Sequence, residues 1–231
     1  MKASQRTRQE ILGALAAGEF DVGKELPAET RLAERFGVSR LTMRETLGSL
    51  ASSGILEVQQ GRRNRIAPMT EWSVLDPEVV AVRAQLDDDT AQMVQDLMEA
   101  RRVLEVGMAR LAATRITPEQ LSALEEQVRL MEEHLDSPSP EESAQADIRF
   151  HEIILQAAQN PFLSEAFGTL SQMLLRVRRE TSRSTQVRRE ALAWHRRILA
   201  ALREHDAESA ADAMAQHMDQ TLTATRQIRL V

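Results

Sequence analysis

The chain has 231 residues, 42% of them apolar, with no cysteine and a formal net charge of −6. That length allows two domains with separate cores, while the missing cysteines exclude disulfides, thiolate nucleophiles and cysteine-bound zinc. No apolar run reaches the length of a membrane span. The N-terminus lacks the apolar stretch of a signal peptide, so a cytoplasmic protein is the expectation.

Between Thr7 and Ala16, the residues Ile11, Leu12 and Leu15 recur at helical spacing, and Gly18 ends this first helix. A second helix is predicted over Glu29–Phe36, and Gly37 supplies the turn after it. Ser39 suits the N-cap of a third, with Leu41, Met43, Leu47 and Leu50 on its buried face and Ser53-Gly54 as its stop. A strand over Ile55–Gln59, a basic turn at Gln60–Asn64 and a returning strand at Arg65–Ala67 complete a winged helix-turn-helix over 1–67. This segment holds 11 Lys and Arg against 8 Asp and Glu, whereas 68–231 holds 18 against 27, so the positive excess lies where DNA contact is expected.

Residues 68–77 read as a linker, packed rather than loose because of Trp72, Val74 and Leu75. From there to 231 the pattern is helical, over 78–86, 90–114, 118–135, 141–158, 161–183, 185–204 and 206–229. Thr117-Pro118 and Asn160-Pro161 place a capping residue and an early proline at two of the starts. The fold class is therefore mainly α: a winged helix-turn-helix joined to an all-α bundle at 78–231.

A helix-turn-helix presents the first side chains of its second helix to base edges in the major groove. With Leu41, Met43 and Leu47 assigned to packing, Ser39, Arg40, Thr42 and Arg44 are the DNA-facing candidates. In the wing, Gln60, Gly61 and Arg62 suit the minor groove, where glycine permits close approach and arginine meets negative potential. Taken singly, each arginine could equally be a solvated surface residue. Further on, Asp147 and His151 sit four apart on one helix face, an oxygen and nitrogen pair able to share an ion. Arg101 falls on the stripe of Leu97, Leu104, Met108 and Leu111, so it points inward and needs an anionic partner. That partner is either an internal carboxylate, such as Glu105 or Asp147, or a ligand's.

The order Leu26-Pro27-Ala28-Glu29, Leu32-Ala33, Gly37-Val38-Ser39-Arg40, Arg44-Glu45, Leu50 and Gly54 resembles the GntR-type winged helix. The helical remainder resembles the FCD ligand-binding domain of the FadR subfamily. Two departures stand out: Thr30 replaces an arginine common in relatives, and Leu41 replaces a small or polar residue. The resemblance implies that Asp147, His151, His195 and His217 hold a divalent metal, zinc foremost with nickel or another ion as alternatives. It also favours a ligand carboxylate as the partner of Arg101. The expectation is a homodimeric regulator, not an enzyme, repressing a catabolic operon from an inverted-repeat operator and released by a small organic acid. The stretch Ala67–Asp76 resembles sugar-acid-responsive members such as galactonate regulators, which favours a sugar acid. The alternatives are a metal-dependent hydrolase, a purely structural metal and a protein-binding adaptor. Against the hydrolase, His151-Glu152-Ile153-Ile154-Leu155 lacks the second histidine of His-Glu-x-x-His.

Overall fold

The computed structural model describes residues 2–58, 63–86 and 90–226, leaving aside the side chains of 90, 174–177, 179, 180 and 226. Two compact units divide the chain, Met1–Thr90 and Ala91–Val231.

In the first unit α1 (Ala3–Ala16), α2 (Glu29–Arg35) and α3 (Arg40–Ser52) precede an antiparallel pair, β1 (Leu56–Glu57) and β2 (Arg65–Ile66). Leu56 faces Ile66 and Glu57 faces Arg65 in register, and Glu25 bridges to Arg65 from the turn before α2. Helix α1 begins earlier than its apolar pattern suggests, because Lys2 and Gln5 form a cap ahead of the first apolar turn. Gly37 takes a φ of +64° between α2 and α3, and the Ser39 hydroxyl accepts the Thr42 N–H at 3.1 Å to start α3. Ile11, Leu15, Leu26, Leu32, Met43 and Leu50 fill the core.

Packing against this core continues through 68–86. The Trp72 indole is buried and donates to the Ala67 carbonyl at 2.9 Å, while Ser73 N–H donates to Ser53 O at 2.9 Å. Helix α4 (Pro77–Leu86), expected to open the helical half, belongs instead to the first unit. Its Val79 and Val82 are buried in the same cluster as Ile11 and Leu15. Arg8 of α1 binds Asp76 at 2.5 Å and also pairs with Glu78, and Asp76 in turn caps α4 by accepting from Glu78 and Val79 N–H. Burial of two valines and one shared arginine outweighs the resemblance of α4 to the helices after it.

The second unit comprises α5 (Thr90–Ala113), α6 (Pro118–Glu133), α7 (Glu141–Ala157), α8 (Pro161–Thr181), α9 (Thr185–Arg203) and α10 (Ala207–Arg226). Helix α6 packs on α7 and α9, and α9 packs on α10. Met108, Leu124, Phe150, Phe167, Ile198, Leu202 and Met214 form its apolar centre. Thr117 and Gln120 cap α6 reciprocally with Pro118 inside, and Asn160 accepts from the N–H groups of Phe162 and Leu163 at the head of α8. At the connections, Gln159 and His205 turn the chain with φ of 48° and 52°.

Gly54 closes the first unit, with φ of +75° and the Glu71 carbonyl oxygen 2.1 Å from where a Cβ would sit. Gly54→Ala should therefore destabilise that unit by about 2–5 kcal/mol, combining left-handed strain with a backbone clash. Urea unfolding followed by Trp72 fluorescence in a Trp194→Phe background measures this. A change below about 1 kcal/mol would show that the 69–71 turn yields freely.

Candidate metal centre and DNA-reading surface

Helix α3 offers its first turn to solvent. Ser39, Arg40 and Arg44 are exposed, and Arg44 makes a 3.2 Å pair with Glu29 while remaining 73% exposed. The Ser39 and Thr42 hydroxyls lie 2.9 Å apart within the cap. Leu41 departs from expectation: it is 67% exposed rather than packed. The inner face runs through Met43, Thr46, Leu47 and Leu50, and a residue two before Met43 lies almost opposite on a helix of 3.6 residues per turn. Thr46 takes the buried place, its hydroxyl donating to Thr42 O at 2.8 Å. Gln60, Gly61 and Arg62 lie outside the described residues.

In the helical unit, α7 carries Asp147 and His151 one turn apart, α9 carries His195 and α10 carries His217. One ligand atom from each lies within 4.8 Å of all the others. His151 Nε2 and His217 Nε2 are 3.3 Å apart, His195 Nε2 and Asp147 Oδ1 3.3 Å, and His151 Nε2 and Asp147 Oδ1 3.7 Å. Ligand atoms about 2.0–2.1 Å from a tetrahedral ion stand about 3.3–3.4 Å apart, so this donor set fits zinc or a similar divalent ion. The polar atoms agree. Among the described residues, both ring nitrogens of His195 and Nδ1 of His217 are buried without a hydrogen-bond partner. A cation would satisfy the inward His195 Nε2 and relieve the two imidazole lone pairs of His151 and His217 that face each other, whereas the two Nδ1 atoms lie on the far side of their rings.

Surrounding groups hold the ligands in binding form. The Glu105 carboxylate accepts from His151 Nδ1, leaving Nε2 as the free lone pair, an arrangement common behind metal-bound histidines. Arg101 Nη2 stands 3.5 Å from that Nε2. Burial pushes His195 down to about 3 and His217 well below its usual value, so both rings are neutral near pH 7. For Asp147, burial acts upward, but the Arg178 guanidinium beside it outweighs this and holds the carboxyl well below its usual range. Phe150 covers His195 with ring centroids 4.6 Å apart.

Of the two partners weighed for Arg101, the internal one is present: its Nε donates to Glu105, and both side chains are buried. Arg101 also lines a cavity of about 40 Å³ together with Asp147, Arg178, His195 and His217. Arg178 was not anticipated. It binds Asp147 and is 3% exposed. Its signal is the inward stripe of Phe167, Leu170, Arg178 and Thr181, the same spacing argument that singles out Arg101. His134 and His205 stand outside the cluster, and His205 Nδ1 donates to Ala113 O at 2.7 Å.

Residues 96–220 match the FCD domain, and residues 3–66 match the bacterial regulatory proteins of the gntR family. The chain belongs to the GntR family of transcriptional regulators. The galactonate operon transcriptional repressor of Escherichia coli K12 is 30% identical over 197 residues, 85% of each chain. The regulator LutR of Bacillus subtilis is 30% identical, covering 87% of this chain and 91% of its own, and the Uxu operon regulator of Escherichia coli K12 is 30% identical, covering 94% and 86%. A GntR structure from Streptococcus agalactiae superposes with TM-score 0.53 at 30% identity, over 95% of this chain and 99% of that one. The fold is also that of Lar from Listeria monocytogenes, TM-score 0.65 at 18% identity, with 99% of each chain covered. These GntR relatives are regulators, not enzymes, and the hydrolase alternative finds no support among them. Among the described residues no helix is long and apolar enough to cross a membrane.

Glu105→Gln should lower metal affinity about 10–100-fold, because it removes the charge that orients His151. His195→Ala should lower it further while the first unit keeps its Trp72 signal. Equilibrium dialysis against zinc measures both, and unchanged zinc affinity would remove the altered residue from the centre.

Proposed function

We propose that the chain is a homodimeric repressor of a catabolic operon, acting in the cytoplasm and released from its operator by a small organic acid bound beside a metal ion. The observation that carries this reading is the cluster of four ligands, three of which, Asp147, His195 and His217, line a cavity together with Arg101, in a protein whose other unit is a DNA reader. An acid bridging the guanidinium and a fifth position on the ion, added to the four protein ligands, would use both. The metal, zinc foremost, would be held by Asp147, His151, His195 and His217 and would supply a Lewis-acidic anchor for the carboxylate. Arg101 would orient that carboxylate, helped by the fixed geometry of its bond to Glu105.

At the DNA, Arg40 and Arg44 are placed for guanine or phosphate contacts from the start of α3, with Ser39 and Thr42 beside them and Gln60, Gly61 and Arg62 of the wing as minor-groove candidates. Leu41, exposed among them, suits the methyl group of a thymine. Two reading heads related by a twofold axis call for an inverted repeat. The acid can release DNA only through its unequal affinity for the DNA-bound and free arrangements. Relatives named for the galactonate and Uxu operons support a sugar acid as effector.

The experiment is operator binding with DNA from upstream of the chain's own gene, with and without aldonates, aldarates and simpler hydroxy acids. Specific binding released by one of them is the expected result. Binding insensitive to every acid would assign the metal a structural role, and no specific binding would overturn the repressor reading. In the same assay Arg44→Ala should weaken binding by about 1–3 kcal/mol if the contact is bidentate to guanine.

A further inference from the structure

Among the described side chains of the helical unit, the buried charges do not balance. Three guanidinium groups are nearly inaccessible, Arg101, Arg178 and Arg188 at 1, 3 and 7% exposure. Two carboxylates, Glu105 and Asp147, lie among them. Arg188 is held by the carbonyls of Leu135, Ser137 and Ser182, which spread its charge without cancelling it. Arg101 and Arg178 converge on one oxygen: Arg101 Nε donates to Glu105 Oε1, and Arg178 Nη2 stands 3.8 Å from it. Among the described residues, three buried cations against two anions leave one positive charge in excess. A divalent ion on the four ligands adds two more. An uncompensated buried charge is costly, so the cavity favours an occupant with more than one negative charge.

Unused hydrogen-bonding groups point the same way. Arg178 Nε and Gln220 Oε1 are buried without partners among the described residues, and both side chains line the cavity. The Gln220 amide is fixed by its Nε2 donating to Glu190 at 3.3 Å. A free donor on a cation calls for an anionic acceptor, and a free carbonyl oxygen calls for a donor such as a hydroxyl. Ser143 and Thr221 add hydroxyl groups to the same wall.

Building on the acid-responsive function proposed above, we infer that Arg178 is a specificity-determining residue, the anchor for a second carboxylate. The effector is then a hydroxylated dicarboxylate, with one acid group at Arg101 and the metal site, the other at Arg178, and a hydroxyl donating to Gln220. A monocarboxylate leaves Arg178 with nothing beyond Asp147 and Glu105.

Calorimetric titration of the full-length, zinc-loaded protein with carbon-matched pairs tests this: malate against 2-hydroxybutyrate, and galactarate against galactonate. In whichever pair binds, the diacid should bind at least about tenfold tighter, the scale of an added charge-assisted bidentate contact. Arg178→Gln should bring that ratio close to one, and Arg178→Lys should restore part of it. Zinc content measured on each variant separates this from loss of the metal through Asp147. Gln220→Met, away from the charged pairs, should erase a preference for malate over succinate. Equal affinity for the two acids of a pair in the unaltered protein would overturn the inference and leave the acid-responsive reading standing. A diacid preference that survives Arg178→Gln would overturn the role of Arg178. Failure of every acid to bind would instead overturn the acid-responsive reading itself.

Discussion

The helical unit depends on the buried carboxylate of Glu105. It binds Arg101 one turn back on α5, receives the Nδ1 proton of His151 from α7 and lies within reach of Arg178 from α8. Burial alone would push its proton affinity up, and Arg101, His151 and Arg178 together outweigh that and keep it ionised well below the usual range. Three helices are thus registered on one group. Removing a single partner from such a buried ionic network typically costs about 3–5 kcal/mol, because a charge is left without compensation. The orientation of the His151 imidazole in the four-ligand cluster and the placement of both guanidinium groups depend on this one residue.

Arginine serves opposite ends in the two units. Arg44 is solvated and paired with Glu29 only at the surface, where an ion pair is worth about 0–1 kcal/mol. Such a pair is weak enough to be exchanged for a phosphate or a guanine, as the proposed DNA contact requires. Arg101 and Arg178 are desolvated, so their contacts are not easily traded. An anion entering beside them meets an electrostatic environment already assembled. On the function proposed above, the exposed arginines would answer to salt and DNA geometry, the buried ones to the charge and shape of a small molecule.

Local signals carried much of the fold. Ser39, Thr117-Pro118 and Asn160-Pro161 act through hydrogen bonds within a few residues, so their helix starts were legible in the sequence. The inward stripe exposed Arg101 for the same reason. The clustering of Asp147, His151, His195 and His217 is another matter, since spacing joins only the first two and the resemblance supplied the rest. Leu41 was misplaced because its side chain is apolar while its angular position is outward, and position decides. Arg178 stayed hidden in an arginine-rich stretch that reads as a solvated face. The allegiance of α4 depends on Arg8, some 70 residues away in the chain, and no local pattern records such a contact.

That allegiance has a practical side. A fragment ending at residue 67, where the winged-helix pattern stops, would strip Trp72, Val79 and Val82 from a core they help to close, and would leave Arg8 without its acidic partners. The apolar flank of α1 would then face water, a surface prone to self-association. A separately expressed reading head that is soluble and faithful to the intact protein should run through Leu86.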